Sequence, residues 1–74
     1  MYDSGSKYSE AVKKALIPVR AGSRGQATFE ASADALEFEA AVEEQYPALG
    51  YGSHVYTHMV DDKIVCDWVV HNAD

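Results

Sequence analysis

From Ser53 to His71 the chain is dominated by Val, Tyr, Thr, Ile and Trp and is broken once, by the acidic pair Asp61-Asp62. β-Branched and aromatic side chains fit a pleated surface and Asp favours turns, so this stretch predicts a β-hairpin. Its strands run from Ser53 to Val60 and from Lys63 to His71. An isolated hairpin is at best marginal in water, so this one must recruit more of the chain to cover an apolar face. The register stays open at this point. A two-residue turn sets Met59 by Ile64, Thr57 by Cys66 and Val55 by Trp68, whereas a three-residue turn pairs Val60 with Ile64, His58 with Cys66 and Tyr56 with Trp68. A one-residue slip exchanges the two faces.

The recruits are legible upstream. Tyr8, Ala11, Val12, Ala15 and Leu16 recur at the spacing of one helical face, which predicts a helix over residues 7–16 with Ser6 as a candidate cap and Pro18 as its stop. Ala21-Gly22-Ser23-Arg24-Gly25 reads as a loop by composition. From Gln26 to Ser32 the pattern alternates, with Ala27, Phe29 and Ala31 on one face, as in a half-buried strand. A second helix is predicted from Ser32 or Asp34 to about Tyr46, where Asp34 and Glu37 have the spacing of a capping box. Its inward stripe is Ala35, Phe38, Val42 and the Ala41/Gln45 row, widened by Leu36 and Ala40. Pro47 stops it, and Gly50-Tyr51-Gly52 reverses the chain. The expectation is an α+β fold in the order α-β-α-β-β: a three-stranded antiparallel sheet, including the C-terminal hairpin, with one or two helices packed on it. A flexible arm over residues 1–6 precedes a single domain over residues 7–74.

Bulk properties narrow the classes. At 74 residues a single core is close to the lower limit of self-sufficiency. An apolar share of 47% is too high for a disordered chain. Cys66 is the only cysteine, so no internal disulfide forms and a reducing compartment, the cytoplasm, is expected. No apolar run approaches the roughly 18 residues of a membrane span, and residues 1–9 lack the apolar core of a signal peptide. The net charge of −6 argues against direct binding to nucleic acid or anionic membrane.

No motif dictates a chemistry. His54, His58, His71 and Cys66 are zinc-type ligands, but on one strand His54 and His58 lie roughly 13 Å apart, too far to share an ion. Nucleophilic catalysis by Cys66 with a histidine and Asp67 needs an exposed thiolate, and this cysteine sits between Val65 and Asp67 in an apolar strand, where a buried structural thiol is the expectation. Glu43 and Glu44 are adjacent on a helix and diverge, which is poor geometry for paired acid/base work. The Gly22-Ser23-Arg24-Gly25 loop lacks phosphate-loop spacing and leads into a strand. Neither metal, cofactor nor enzymatic activity is therefore expected.

Charge is the feature left over. Between Gly25 and Asp62 lie Glu30, Asp34, Glu37, Glu39, Glu43, Glu44, Asp61 and Asp62 without one Lys or Arg, whereas Lys7, Lys13, Lys14, Arg20 and Arg24 all precede them. Acids early in a helix match its dipole, but Glu43 and Glu44 fall in the last turn, where cations are preferred. The face is either merely solvated, or a row of carboxylates that imitates phosphates and engages a basic protein surface.

Short length, acidity, a lone cysteine and a compact α-β-β unit are similar to the small phage-encoded inhibitors of host machinery, anti-CRISPR proteins among them. Locally, Phe29 to Gly52 resembles the strand-helix-turn of podophage inhibitors of bacterial RNA polymerase, in Ala31, the Ala- and Glu-rich helix, and Gln45-Tyr46-Pro47-Ala48 before Gly50. That family places arginines on the following strand, where this chain has His54, Tyr56 and His58. The resemblance implies an inhibitor that blocks a basic nucleic-acid-binding surface of a host complex in the host cytoplasm, a CRISPR effector first and RNA polymerase as the alternative. The docking residues are then Glu37, Glu39, Glu43 and Glu44, with Tyr46 and Tyr51 as neighbouring anchors. A different class is a non-catalytic homo-oligomeric subunit, a homodimer built on the hairpin's free edge and Trp68.

Overall fold

The computed structural model describes residues 8–72, so the expected arm over residues 1–6 and the cap from Ser6 lie outside the described residues. The elements are α1 (Glu10–Leu16), β1 (Ser23–Phe29), α2 (Ser32–Gln45), α3 (Ala48–Tyr51), β2 (His54–Val60) and β3 (Lys63–Val70). This is the α+β order α-β-α-β-β, with one added helical turn, α3, before the hairpin. α3 begins beyond Pro47 and ends at Gly52, whose φ of 63° is the left-handed conformation that closes helices.

The hairpin settles on the two-residue turn. Asp61 and Asp62 both have positive φ, 50° and 67°, the backbone of a type I′ turn whose twist suits antiparallel strands. Met59 accordingly faces Ile64, Thr57 faces Cys66 and Val55 faces Trp68. β1 pairs with the other side of β3, Ala27 opposite Cys66 and Phe29 opposite Ile64. The sheet order is β1-β3-β2, with all pairs antiparallel. β3 is central because Ile64, Val65, Cys66, Trp68 and Val70 are buried on both of its faces. β1 starts earlier than the composition suggests: Ser23, Arg24 and Gly25 are paired strand residues, not a loop. A Cβ at Gly25 would sit 3.1 Å from the Trp68 ring, so glycine lets that ring lie against β1.

One face of the sheet carries the core. Ala27, Phe29, Ile64, Cys66, Trp68 and Val70 pack under Phe38, Val42 and Ala35 of α2 and Val12 of α1. Phe38 is fully buried, its ring centroid 5.5 Å from that of Phe29. Burying such a side chain contributes about 2–3 kcal/mol, a large share of the net stability of any small domain. The inward stripe of α2 is narrower than its sequence implies: Leu36, Ala40 and Gln45 are exposed, with Leu36 at 65%. Ala31 also leaves the strand face, as the N-cap of α2.

Holding two Asp residues at positive φ costs backbone energy that glycine avoids. Asp62→Gly is expected to raise stability by about 0.5–1 kcal/mol, read as a higher urea midpoint with an unchanged slope.

Candidate functional site

α2 supplies the carboxylates, and the seating of Phe38 and Val42 dictates where they stand. Leu36, Ala33 and Ala40 occupy the outward crest. Glu37 and Glu44 lean toward α1, and Glu39 and Glu43 lean toward the β2 and α3 side, as their contacts show. Ser9 donates its backbone N–H to Glu37 Oε1 at 3.0 Å and its hydroxyl to Asp34 Oδ1 at 3.0 Å. The same hydroxyl accepts from Val12 N as the N-cap of α1. The capping box anticipated within α2 is thus built between two helices: Asp34 and Glu37 serve the start of α1, while α2 itself has no side-chain cap. Ncap interactions of this kind contribute about 1 kcal/mol.

The other acids are engaged as well. Tyr8 donates its phenol O–H to Glu44 Oε1 at 2.6 Å. Thr57 donates its hydroxyl to Glu39 Oε2. Ala48 N–H points at both oxygens of Glu43, at 3.3 and 3.4 Å, where α3 begins. Ser9, Thr57 and Ala48 are neutral donors, so their contacts fix Glu37, Glu39 and Glu43 in place without cancelling the charge. Lys13 pairs with Glu10 at 3.6 Å and Lys63 with Glu30 at 3.3 Å.

Tyr46 and Tyr51, the expected neighbouring anchors, lie beside the C-terminal end of α2. Both are half-buried, packed edge-to-face with centroids 5.2 Å apart, and laid against the core. The large apolar side chains left in solvent near the acids are Leu36 and, on α3, the fully exposed Leu49. Sequence reasoning assigned Leu36 to the core because it extends an apolar row. The signal that finds it is its place opposite Phe38 and Val42 on the helical wheel.

Among the described residues no helix packs on the far face of the sheet. It presents Arg24, Gln26 and Thr28 from β1, Val65, Asp67 and Val69 from β3, and His54, Tyr56, His58 and Val60 from β2, as the register dictates. A shallow groove of about 410 Å³ crosses it between Arg24, Gln26, His54, Tyr56 and Asp67. Asp67 accepts from Gln26 Nε2 at 2.7 Å. His58 Nδ1 lies 3.5 Å from Asp67 Oδ2, within ion-pair reach but without hydrogen-bond geometry, and its ring stacks on Tyr56 at 5.2 Å.

Cys66 belongs to the opposite, covered face, so His58, Asp67 and the thiol do not converge. Its Sγ is fully buried, 3.5 Å from Thr57 Oγ1. Burial pushes the Cys66 thiol up, against the lowering effect of Thr57, and the nearby Glu39 and Asp67 carboxylates push it further. It is a neutral packing group at physiological pH rather than a nucleophile. Among the described residues no three His, Cys, Asp or Glu side chains are placed to hold a metal ion, and no helix is long and apolar enough to cross a membrane. No protein-family model, curated protein or solved structure matches the chain.

The raised Cys66 thiol has a consequence for stability. The unfolded chain releases this proton at a lower pH than the folded one, so stability is full below the ordinary thiol range and declines as pH rises through it. Urea unfolding between about pH 7 and 10 should show that decline in the natural protein and a flatter profile in Cys66→Ala. Identical pH profiles would contradict the assignment.

Proposed function

We propose that this chain is a small acidic protein-binding inhibitor of the phage-encoded type, which covers a basic, nucleic-acid-binding surface of a host complex. The observation that carries the reading is the state of the α2 carboxylates. Glu37, Glu39 and Glu43 are each held by a neutral hydrogen-bond donor, so their charge is positioned and retained, and Glu44 accepts from the Tyr8 phenol beside them. Fixed carboxylates lose less conformational entropy on meeting Lys and Arg than free ones, and a one-signed face steers encounter with a basic partner. Leu36 and Leu49 add apolar contact beside the acids. Tyr46 and Tyr51, half-buried at the end of α2 where Glu43 and Glu44 stand, are the neighbouring anchors. The resemblance to phage inhibitors makes a CRISPR effector the first target and bacterial RNA polymerase the second, both in the host cytoplasm.

The test separates charge from hydrogen bonding. Glu43→Gln with Glu44→Gln keeps acceptors for Ala48 N–H and the Tyr8 phenol but removes two charges. Binding to a purified effector complex and to RNA polymerase is measured by calorimetry beside a thermal melt. The reading expects the melt to move by no more than a few degrees and affinity for the target to fall about ten-fold or more. Unchanged affinity, or no binding to either complex by the natural protein, contradicts it.

A further inference from the structure

The sheet has two edges, and they are unlike. β1 carries Arg24 and is bordered by α1, with which it lines a groove through Ala11, Ala15 and Ala27. Among the described residues β2 has a neighbouring strand, β3, on one side only. Edge strands are normally defended by charged side chains, proline or bulges, because their unpaired N–H and C=O groups template further pairing. From His54 to Val60 there is no Lys, Arg, Asp, Glu or Pro, and the register with β3 runs without a bulge. Three of its side chains, Tyr56, Met59 and Val60, are large, apolar and exposed, at 59%, 64% and 46%.

We propose that β2 is a self-association strand, pairing antiparallel with β2 of a second copy about a two-fold axis at Thr57 to form a continuous six-stranded sheet. The strand is self-complementary in that register. Tyr56 falls opposite the second copy's His58 on the open face, the combination that already stacks within one chain. Val55 falls opposite Met59 on the covered face, and Thr57 meets itself. Such cross-strand apolar, aromatic and Thr–Thr pairs are the ones that stabilise sheets. The ends match in hydrogen bonding too: Val60 falls opposite the second copy's exposed His54, which brings Asp61 next to that imidazole, twice by symmetry. Seven residues make a seam of about 23 Å, a small interface and therefore a weak, concentration-dependent dimer. Trp68 takes no part, because it is buried on the central strand.

This association and the acidic docking above respond oppositely to salt. Pairing at β2 brings the two α2 helices, with Glu39 and Glu43 on their near flanks, toward one another, so screening strengthens the dimer. Docking of α2 on a basic partner is weakened by the same salt. Sedimentation velocity from low-micromolar to near-millimolar protein should show the mass rising from 8.1 kDa toward about twice that value, and rising sooner at high salt. Tyr56→Lys and Met59→Lys, both at exposed positions, should each remain at the monomer mass while keeping the natural circular dichroism spectrum. In a mixed labelled and unlabelled sample, cross-copy NOEs should link Tyr56 to His58 and Val55 to Met59. A monomer at every concentration overturns the proposal. So does a dimer that survives both substitutions or places its cross-copy NOEs elsewhere.

Discussion

The seating of Phe38 against Phe29 decides the direction of every other side chain on α2. With that ring fully buried and Val42 and Ala41 beside it, the helix cannot roll on the sheet without opening the core. Asp34, Glu37 and Glu44 therefore meet the start of α1, Glu39 and Glu43 meet Thr57 and the start of α3, and Leu36 is left on the crest. A core contact thus sets a surface property. The single cysteine, Cys66, is free, so no disulfide shares that task.

The acids have two roles at once. Asp34 and Glu37 supply to α1 the acceptors its own first turn lacks, and Glu43 does the same for α3, so part of the acidity is structural. Because the donors are backbone N–H groups and hydroxyls, the negative field survives these contacts. Neutral pinning reconciles a charged face with a small, marginally stable domain: the self-repulsion of like charges is offset locally by charge-assisted hydrogen bonds, each stronger than a neutral one.

Much of this architecture was legible in the sequence, and the failures have identifiable causes. The hairpin, the first strand at Ala27 and Phe29, and the helix around Phe38 follow from period-two and period-three-to-four patterning. Register was not legible, because Val55-Thr57-Met59 and Tyr56-His58-Val60 are both plausible inward rows. Only the positive φ of Asp61 and Asp62 chooses between them. Leu36 and Ala40 misled because hydropathy alone does not separate an apolar crest from a widened core stripe. The spacing of Asp34 and Glu37 was visible, but their partner Ser9 lies on another helix, and a contact across 25 or 28 residues leaves no mark in local sequence. The turn of helix at α3 was masked by its glycine.

The central claim is that the α2 face occupies a site otherwise filled by nucleic acid. Competition on the target complex tests it most directly: binding of the natural protein is titrated at several fixed concentrations of the complex's own DNA or RNA ligand. The account predicts a half-point that climbs in proportion to nucleic-acid concentration, with no ternary complex. Simultaneous binding, with a half-point independent of nucleic acid, would contradict it.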